Sequence, residues 1–369
     1  MTLQTGDNVS LGKKTDRENK RPHWIIGEID TDARKIHVVS TDLSFRDQIG
    51  RVRSRLGSFR MRYEVNPSLY AIGQPDENSP VFISANYKLS FDFLRCSLKG
   101  IDGFILVLDT RGINVWCAAG KGTFGTEELI ERIRGTGLGD VVRHRRIVIP
   151  QLGAPGIQAH TVYKNTGFRV FYGPVYAKDI FEYLKNGYRS TQNMRTVQFN
   201  FRDRLVLTPI EIVQMGKPFL IYTLSMFILF GLQPSGIIFK DAFNGGYHFI
   251  LLGAVSILSG ALLTPLGLPL IPFRAFSLKG LISGLVVVAV YYFLFFGGSR
   301  QEILKIAIIF MTFPVLSSYI ALNFTGATPF TSISGVKKEL KYALPCYILV
   351  SAASVILFVL YKLKLMELI

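Results

Sequence analysis

One segment gathers the side chains best suited to chemistry: DTRGINVWCAAGKGTFG, residues 109–125. It sets a thiol, Cys117, beside Trp116, and two alanines and three glycines follow within residues 118–125. Side chains this small let backbone and sulfur come close to a flat ligand. Arg111 and Lys121 flank the thiol with positive charge, which suits a thiolate acting as nucleophile or as metal ligand. No His stands near it in sequence to act as base, and a buried structural cysteine is the competing reading. A phosphate-binding loop is excluded, because Val115 stands where its first glycine belongs and Gly122 where its hydroxyl belongs. The other cysteines, Cys96 and Cys346, are far away, with no C-x-x-C spacing. That excludes a disulfide framework and a zinc or iron–sulfur site built on cysteines of this chain, so no iron–sulfur cluster is expected here.

The elements that position this loop read as an α/β domain with a mostly parallel sheet. Strands are expected at 81–84, 104–108, 147–149 and 168–171, with helices near 89–99, 126–135, 156–165 and 176–186. Thr126 is placed to cap the helix it opens, with Glu127 and Glu128 at its positive end. In such sheets ligands gather beyond the carboxyl ends of the strands. Four loops qualify: 85–88, 109–125, 151–156 and 172–175. Earlier sequence, including IHVVS at 36–40 and the Arg-rich stretch 46–62, reads as part of the same domain. The polar first 22 residues read as a disordered tail rather than a secretory signal.

Composition changes near Lys217. Residues 1–217 hold 32 basic and 22 acidic side chains, residues 218–369 only 10 and 4. A fully soluble protein is excluded, and the domain order expected is a tail (1–22), an α/β domain (23–200), an amphipathic linker (201–217) and five transmembrane helices (218–369). The spans are expected at about 218–238, 247–268, 280–298, 306–326 and 342–361, each near the ~20 residues that cross a bilayer. TPIE at 208–211 has the form of a capping box with Pro209 at the first helical position. The distribution of Lys and Arg favours a cytoplasmic amino terminus, hence a multi-pass protein of the inner membrane with its α/β domain in the cytoplasm. None of the five spans carries a Lys, Arg, Asp or Glu inside, which argues against ion-coupled transport and for an anchor. The formal charge of +16 is spread along the chain, so no nucleic-acid partner is expected.

NVWCAAGK at 114–121, within GINVWCAAGKGTFGT, resembles the cap-helix motif of the membrane-bound corrinoid proteins of microbial mercury methylation. PSLYAIGQPDENSPVFISANYKLSFDFLR, which precedes it, resembles the same family and its relatives, the corrinoid iron–sulfur proteins of the acetyl-CoA pathway. The likeness spans most of residues 65–185. It implies a Rossmann-like corrinoid-binding domain followed by an all-α five-helix transmembrane domain. It further implies that Cys117 is the lower axial ligand to the cobalt of a base-off corrinoid, cobalamin or pseudocobalamin. Asn114, Val115, Trp116, Ala118, Ala119, Gly120 and Lys121 would then form the short helix under the corrin. The imidazole-ligating pattern D-x-H-x-x-G is absent, since no His in the chain has an Asp two positions before it.

A thiolate suits the acceptor that the resemblance implies. Hg(II) is an electrophile, so it needs a methyl group that carries electrons, and a strongly donating sulfur trans to the methyl favours a carbanion-type transfer. The partners implied are Hg(II), a ferredoxin-like reductant with two 4Fe–4S clusters and a corrinoid or folate methyltransferase that recharges cobalt. Two alternatives stand beside this: a corrinoid methyl carrier of one-carbon metabolism, and a membrane transporter or sensor with a nucleotide-binding domain. Asn86, Tyr87, Gly153, Ala154 and Gly156 sit on the ligand-side loops and are expected to touch corrin amides or its nucleotide tail, with ordinary turn chemistry as the alternative. Cys96, spaced with Leu89 and Phe93, reads as core. The Arg-His-Arg-Arg run at 143–146 reads as a solvated loop, with the docking of an acidic ferredoxin as the alternative.

Overall fold

The computed structural model of the chain describes residues 21–31, 34–234, 236–297 and 302–368. Nearly all of the predicted tail lies outside the described residues. The first part runs β1 (Ile25–Asp30), β2 (Lys35–Val39), α1 (Phe45–Leu56), β3 (Leu69–Ile72), β4 (Val81–Ala85), α2 (Lys88–Ser97) and β5 (Gly103–Leu108). It continues through α3 (Val115–Lys121), α4 (Thr126–Gly135), α5 (Leu138–Val141), β6 (Arg146–Ile149), α6 (Ala159–Thr166), β7 (Arg169–Tyr172) and α7 (Ile180–Lys185). The second part holds α8 (Phe201–Gly231), a hairpin of β8 (Leu232–Gln233) and β9 (Gly236–Ile237), α9 (Phe239–Leu258), α10 (Thr264–Leu266), α11 (Phe276–Phe296), α12 (Ile303–Asn323) and α13 (Ile333–Leu365).

Seven strands form one sheet in the order β1-β2-β3-β5-β4-β6-β7. The run β5-β4-β6-β7 is parallel, as expected, but β3 is antiparallel to β5 and β1 to β2. The sheet is therefore mixed but still mostly parallel, since β2 and β3 also pair in parallel. Three strands from before residue 80 continue it past β5, whose outer edge would otherwise stand unpaired. Side chains alternate along each strand, so the sheet is covered on both faces. Ile83, Leu106 and Ile149 pack with Ala118, Phe124, Leu129 and Val162 on one side. Phe82, Ile105 and Val148 pack with Phe91, Leu94, Ile180 and Tyr183 on the other. Because β5 lies on one side of β4 and β6 on the other, strand order reverses between β4 and β6. That reversal opens a crevice at the carboxyl edge of the parallel strands.

Among the described residues, five helical stretches are long and apolar enough to cross a membrane: Phe201–Gly231, Phe239–Leu266, Phe276–Phe296, Ile303–Gly326 and Ser334–Leu365. The linker expected at 201–217 is continuous with the first of them. The capping box is Asn200 with Asp203, not TPIE, and the helix runs through Pro209. Proline there frees the Leu205 carbonyl, which accepts a hydrogen bond from Thr208 Oγ1 at 2.9 Å instead. The first helix ends at Gly231, short of the expected 238, because a two-stranded hairpin takes over. At 31 and 33 residues, α8 and α13 are longer than predicted. At ~1.5 Å per residue both outreach the hydrocarbon layer.

Glycine and serine bring the middle helices together. A Cβ at Gly280 would lie 2.8 Å from the Ser318 Cα, and one at Gly284 2.9 Å from the Pro314 Cα, so α11 and α12 meet at small-residue contacts four positions apart. Ser317 Oγ donates to the Gly280 carbonyl at 2.9 Å and lies 3.0 Å from Ser259 Oγ, in the π-turn Ser259–Leu263 that joins α9 to α10. Lys279, just outside the span expected at 280–298, lies in the first turn of α11, and its ammonium donates to the carbonyls of Leu268 and Ile271.

By contact, the chain divides into two compact units. One holds the residues up to Arg51 and Met61–Thr196, the other Val52–Arg60 with everything from Val197 onward. Within the Arg-rich stretch 46–62, Val52–Arg60 thus groups with the helical unit and the residues on either side of it with the sheet.

Candidate functional site

The loops after β4, β5, β6 and β7 emerge from one edge of the sheet, and the loop after β5 is built around a buried asparagine. Asn86, just beyond β4, is 3% exposed. Its Oδ1 accepts from Thr110 N at 3.1 Å, Thr110 Oγ1 at 2.8 Å and Gly112 N at 2.9 Å, and its Nδ2 donates to Asp109 Oδ1 at 3.3 Å. The segment 110–113 closes as a tight turn, with Ile113 N donating to the Thr110 carbonyl at 3.2 Å. Both central residues, Arg111 and Gly112, have positive φ, the conformation of a type I′ turn. Thr110 Oγ1 shares its one proton between Asn86 Oδ1 and the Ile113 carbonyl at 2.6 Å, and Glu128 accepts from Asp109 N at 2.8 Å. One side chain from β4 therefore fixes where α3 begins.

Asn114 then caps α3. Its Oδ1 accepts from the backbone N–H of Cys117 at 2.9 Å, which puts the cysteine in the third helical position. Gly122, at φ +81°, ends the helix after seven residues, and Thr123 N and Phe124 N donate to the Ala118 carbonyl. Ala118 and Ala119 are buried in the core and Val115 packs against it. Trp116, Gly120 and Lys121 are exposed and Cys117 is half-buried. At 43% exposure Trp116 fills no core. The Cys117 thiol is free, as are those of Cys96 and Cys346.

Gly120 has no packing reason. It sits inside a helix, has an ordinary φ, and a Cβ there would meet nothing within 4 Å. Gly153 and Gly156, in the turn Gln151–Gly156 after β6, are the opposite case. A Cβ at Gly153 would lie 2.5 Å from the Phe124 ring, and one at Gly156 would strike the Phe124 carbonyl. These two glycines let the turn press against the end of α3, and Ala154 lies between them, half-buried. Thr126, expected to cap α4, makes no cap bond, and the N-cap residue is Gly125. Thr126 Oγ1 instead accepts from Gln158 N at 2.8 Å and donates to the Gly156 carbonyl at 3.3 Å, which ties the loops after β5 and β6 together.

Behind the C-terminal end of α3 an open polar groove of about 490 Å³ is lined by Asp109, Arg111, Thr123, Glu127, Glu128 and Glu131, among others. Asp109 comes from the loop after β5, and the other three carboxylates from α4, where Glu127 and Glu128 occupy the first turn and the helix dipole favours negative charge.

Other expected residues lie elsewhere. Tyr87 is buried at the start of α2 and bridges through its backbone to Glu64. Cys96 is half-buried beside the exposed Phe93, while the core face of α2 is Phe91, Leu94 and Leu98, so the Leu89-Phe93-Cys96 stripe is not core. Burial pushes the Cys96 thiol up from its ordinary range. The basic run 143–146 enters β6 at its amino end, where Arg146 stands in register with Arg169 and Arg143 pairs with Glu77 at 2.6 Å. That is the edge of the sheet opposite Cys117. Among the described residues no group of three or more His, Cys, Asp or Glu could hold a metal ion. Thr110, Phe124 and Glu128 complete the site without having been expected. Only the D-T-R-G run, a turn signal, points to any of them in the sequence.

Comparison with known proteins matches residues 58–184 to the family described as CO dehydrogenase/acetyl-CoA synthase delta subunit. The matched stretch starts before β3 and reaches into α7, taking in the whole site and none of the apolar helices. The chain is 37% identical over 124 residues to the acetyl-CoA decarbonylase/synthase complex subunit gamma of Methanopyrus kandleri, covering 33% of this chain and 26% of that protein. It is 36% identical over 118 residues to the subunit of the same name from Archaeoglobus fulgidus, covering 31% and 25%. To the corrinoid/iron-sulfur protein large subunit of Moorella thermoacetica it is 29% identical over 123 residues, covering 33% and 27%. The chain thus spans about a quarter of the length of these relatives, and its α/β part is related to corrinoid proteins of acetyl-CoA chemistry.

Proposed function

We propose that this chain is a membrane-anchored corrinoid protein of methyl transfer, with Cys117 as the lower axial ligand to cobalt and Hg(II) as the methyl acceptor. The observation that carries the reading is the outward face of α3. There a free, half-buried thiol sits one turn from Gly120, a helical glycine that the protein's own packing does not require. Glycine inside a helix costs about 0.5–1 kcal/mol relative to alanine, and a flat ligand lying on this face accounts for it. The family match at residues 58–184 takes in this stretch, and the chain is similar to relatives named for corrinoid and acetyl-CoA chemistry, which supports the cofactor.

When bound, the corrinoid would supply the methyl group on cobalt. The chain's own residues do the rest. Asn114 holds the Cys117 backbone, and the Asn86 network holds Asn114 in place through the turn at 110–113. Trp116 offers an exposed ring beside the sulfur. The carboxylates of the groove would accept N–H from carboxamides at the corrin edge, and Arg111 offers a donor for a phosphate. Asn86 and Tyr87 act from beneath, since both are buried. Gly153 and Gly156 serve by packing the turn under α3, and half-buried Ala154 can touch the ligand. A low-potential iron–sulfur protein would serve as reductant and a methyltransferase as methyl source, because three dispersed thiols build no cluster in this chain.

Hg(II) as acceptor rests on the likeness of NVWCAAGK and on the electron donation a thiolate provides. The names of the relatives favour the second reading, a methyl carrier of one-carbon metabolism. The full chain, purified in detergent and loaded with methylcobalamin, separates the two. Methylmercury released on adding Hg(II), and lost in Cys117→Ala, supports the first. Methyl transfer to nucleophilic acceptors alone, with no methylmercury, overturns it in favour of the second.

A further inference from the structure

Helix α1 is built inside out. The residues it turns inward, Asp47, Gly50 and Ser54, are polar or small, and a Cβ at Gly50 would run into the Tyr63 hydroxyl, so nothing larger fits on that face. Asp47 is 1% exposed and locked by ion pairs to Lys88 at 2.8 Å and Arg95 at 3.0 Å. The opposite face carries Phe45, Ile49, Val52 and Leu56, exposed by 75%, 41%, 56% and 37%. At ~100° per residue these four fall within an arc of roughly 60°. Arg46 and Arg53 border that stripe on one side, Arg51 and Arg55 on the other. The turn that follows adds exposed Met61 and Arg62. Across 45–62 there are six arginines and one acid, Asp47, which is held by Lys88 and Arg95.

A helix of a soluble domain buries its apolar stripe and shows its polar face to water. Here the polar face is the one that is held, so the register cannot be turned without breaking the Asp47 ion pairs. A narrow apolar stripe with guanidinium groups on both flanks is the pattern of a helix lying in a membrane interface. Arginine pairs bidentately with phosphate, and cationic residues are drawn to anionic lipid surfaces. The chain also carries five helices fit to cross a membrane, and Val52–Arg60 groups by contact with that helical unit. We propose that α1 is an interfacial helix that binds the anionic phospholipid leaflet of the membrane its own apolar helices enter. The apolar stripe sinks below the headgroups, and exposed Arg46 and Arg53 on its flank sit on lipid phosphates.

The test uses the full chain in nanodiscs, with hydrogen exchange read over residues 45–62. In discs of phosphatidylcholine with about a third phosphatidylglycerol, exchange there is expected to be about tenfold slower than in phosphatidylcholine alone, an effect that fades as salt is raised. Ile49→Glu with Val52→Glu should abolish the difference. Arg46→Gln with Arg53→Gln should reduce it, and this exposed pair guards against a folding defect in the first variant. Peptides from β4 and β5 should exchange alike throughout. Equal exchange over 45–62 in both lipids overturns the proposal. So does protection that needs a soluble acidic ferredoxin and is indifferent to lipid, which would assign the face to a protein partner.

Discussion

Replacing Gly120 with alanine should raise the stability of α3 while weakening cofactor uptake. The residue lies within the helix Val115–Lys121, is exposed, and a Cβ at that place meets no atom within 4 Å. The substitution therefore gains helix propensity at no steric cost, up to about 1 kcal/mol and less this near the helix end. At about 0.5–1 kcal/mol, amide exchange within α3 of the cofactor-free protein should slow by roughly two- to fivefold. Against a flat ligand on the same face the new methyl stands in the way. A loss of at least about 1.4 kcal/mol would lower corrinoid affinity tenfold. Hydrogen exchange on the full chain in detergent gives the first quantity and titration with hydroxocobalamin, followed by absorbance, the second. Opposite signs are the signature. A variant that binds corrinoid as tightly as the parent, or whose cofactor-free helix is loosened, would refute the reasoning that Gly120 is kept for a ligand.

Further outcomes follow from the supports of the site. Asn114→Ala removes the cap on Cys117 N and should cost about 1 kcal/mol, read as faster exchange in α3, whereas Asn114→Asp should keep most of it. Asn86→Ala leaves Thr110 N and Gly112 N without their acceptor, while Thr110 Oγ1 keeps the Ile113 carbonyl. The expected loss is at least about 2 kcal/mol in denaturant unfolding, together with a changed absorbance of the bound corrinoid; an unchanged spectrum would mean that the turn does not set the height of α3. For Asp47, burial pushes the carboxyl up, but the Lys88 hydrogen bond and charge, the Ser44 N–H and the Arg95 charge outweigh it and hold it well below its ordinary range. A carboxyl lowered by folding stabilises fully above its unfolded value of 3.8 and loses that contribution as pH falls below it. Thermal unfolding followed from pH 7 to pH 3 should therefore drop below about pH 4 in the parent. Asp47→Asn, which breaks a buried pair at a cost of about 3–5 kcal/mol, should start lower and show a flatter acid limb.

The parts legible in the sequence were those where one local signal decides. Runs such as FILVL and IVI, buried on both faces, announce β5 and β6, and the apolar stretches announce five long helices. β3 was missed because LYAI is four residues long and sits between Pro67 and Gly73, inside what reads as a turn-rich loop. The start of α8 was misplaced because N-F-R-D and T-P-I-E both fit a capping box. Only the structure reveals that Thr208 satisfies the carbonyl freed by Pro209. At the site, the sequence singles out the loop by its thiol and its small residues. It does not distinguish glycines that packing demands, such as Gly156 against Phe124, from one it does not, Gly120, because that distinction depends on which loop lies across from each. Asn86, expected on the ligand side, turns inward for an equally non-local reason: three donors 24 or more residues onward converge on its oxygen. Amphipathicity in α1 is legible, but its direction is not, since the buried partners of Asp47 come from α2.

The central claim is that Cys117 sulfur ligates cobalt. Absorbance and magnetic circular dichroism of the full chain, reconstituted with hydroxocobalamin as the cobalt(III) form, test it without any turnover. The account predicts corrinoid uptake by the parent and by Cys96→Ala with the same axial-ligand bands, and a clear change of those bands in Cys117→Ala. Identical spectra for Cys117→Ala and the parent, or a parent that takes up no corrinoid, would contradict it.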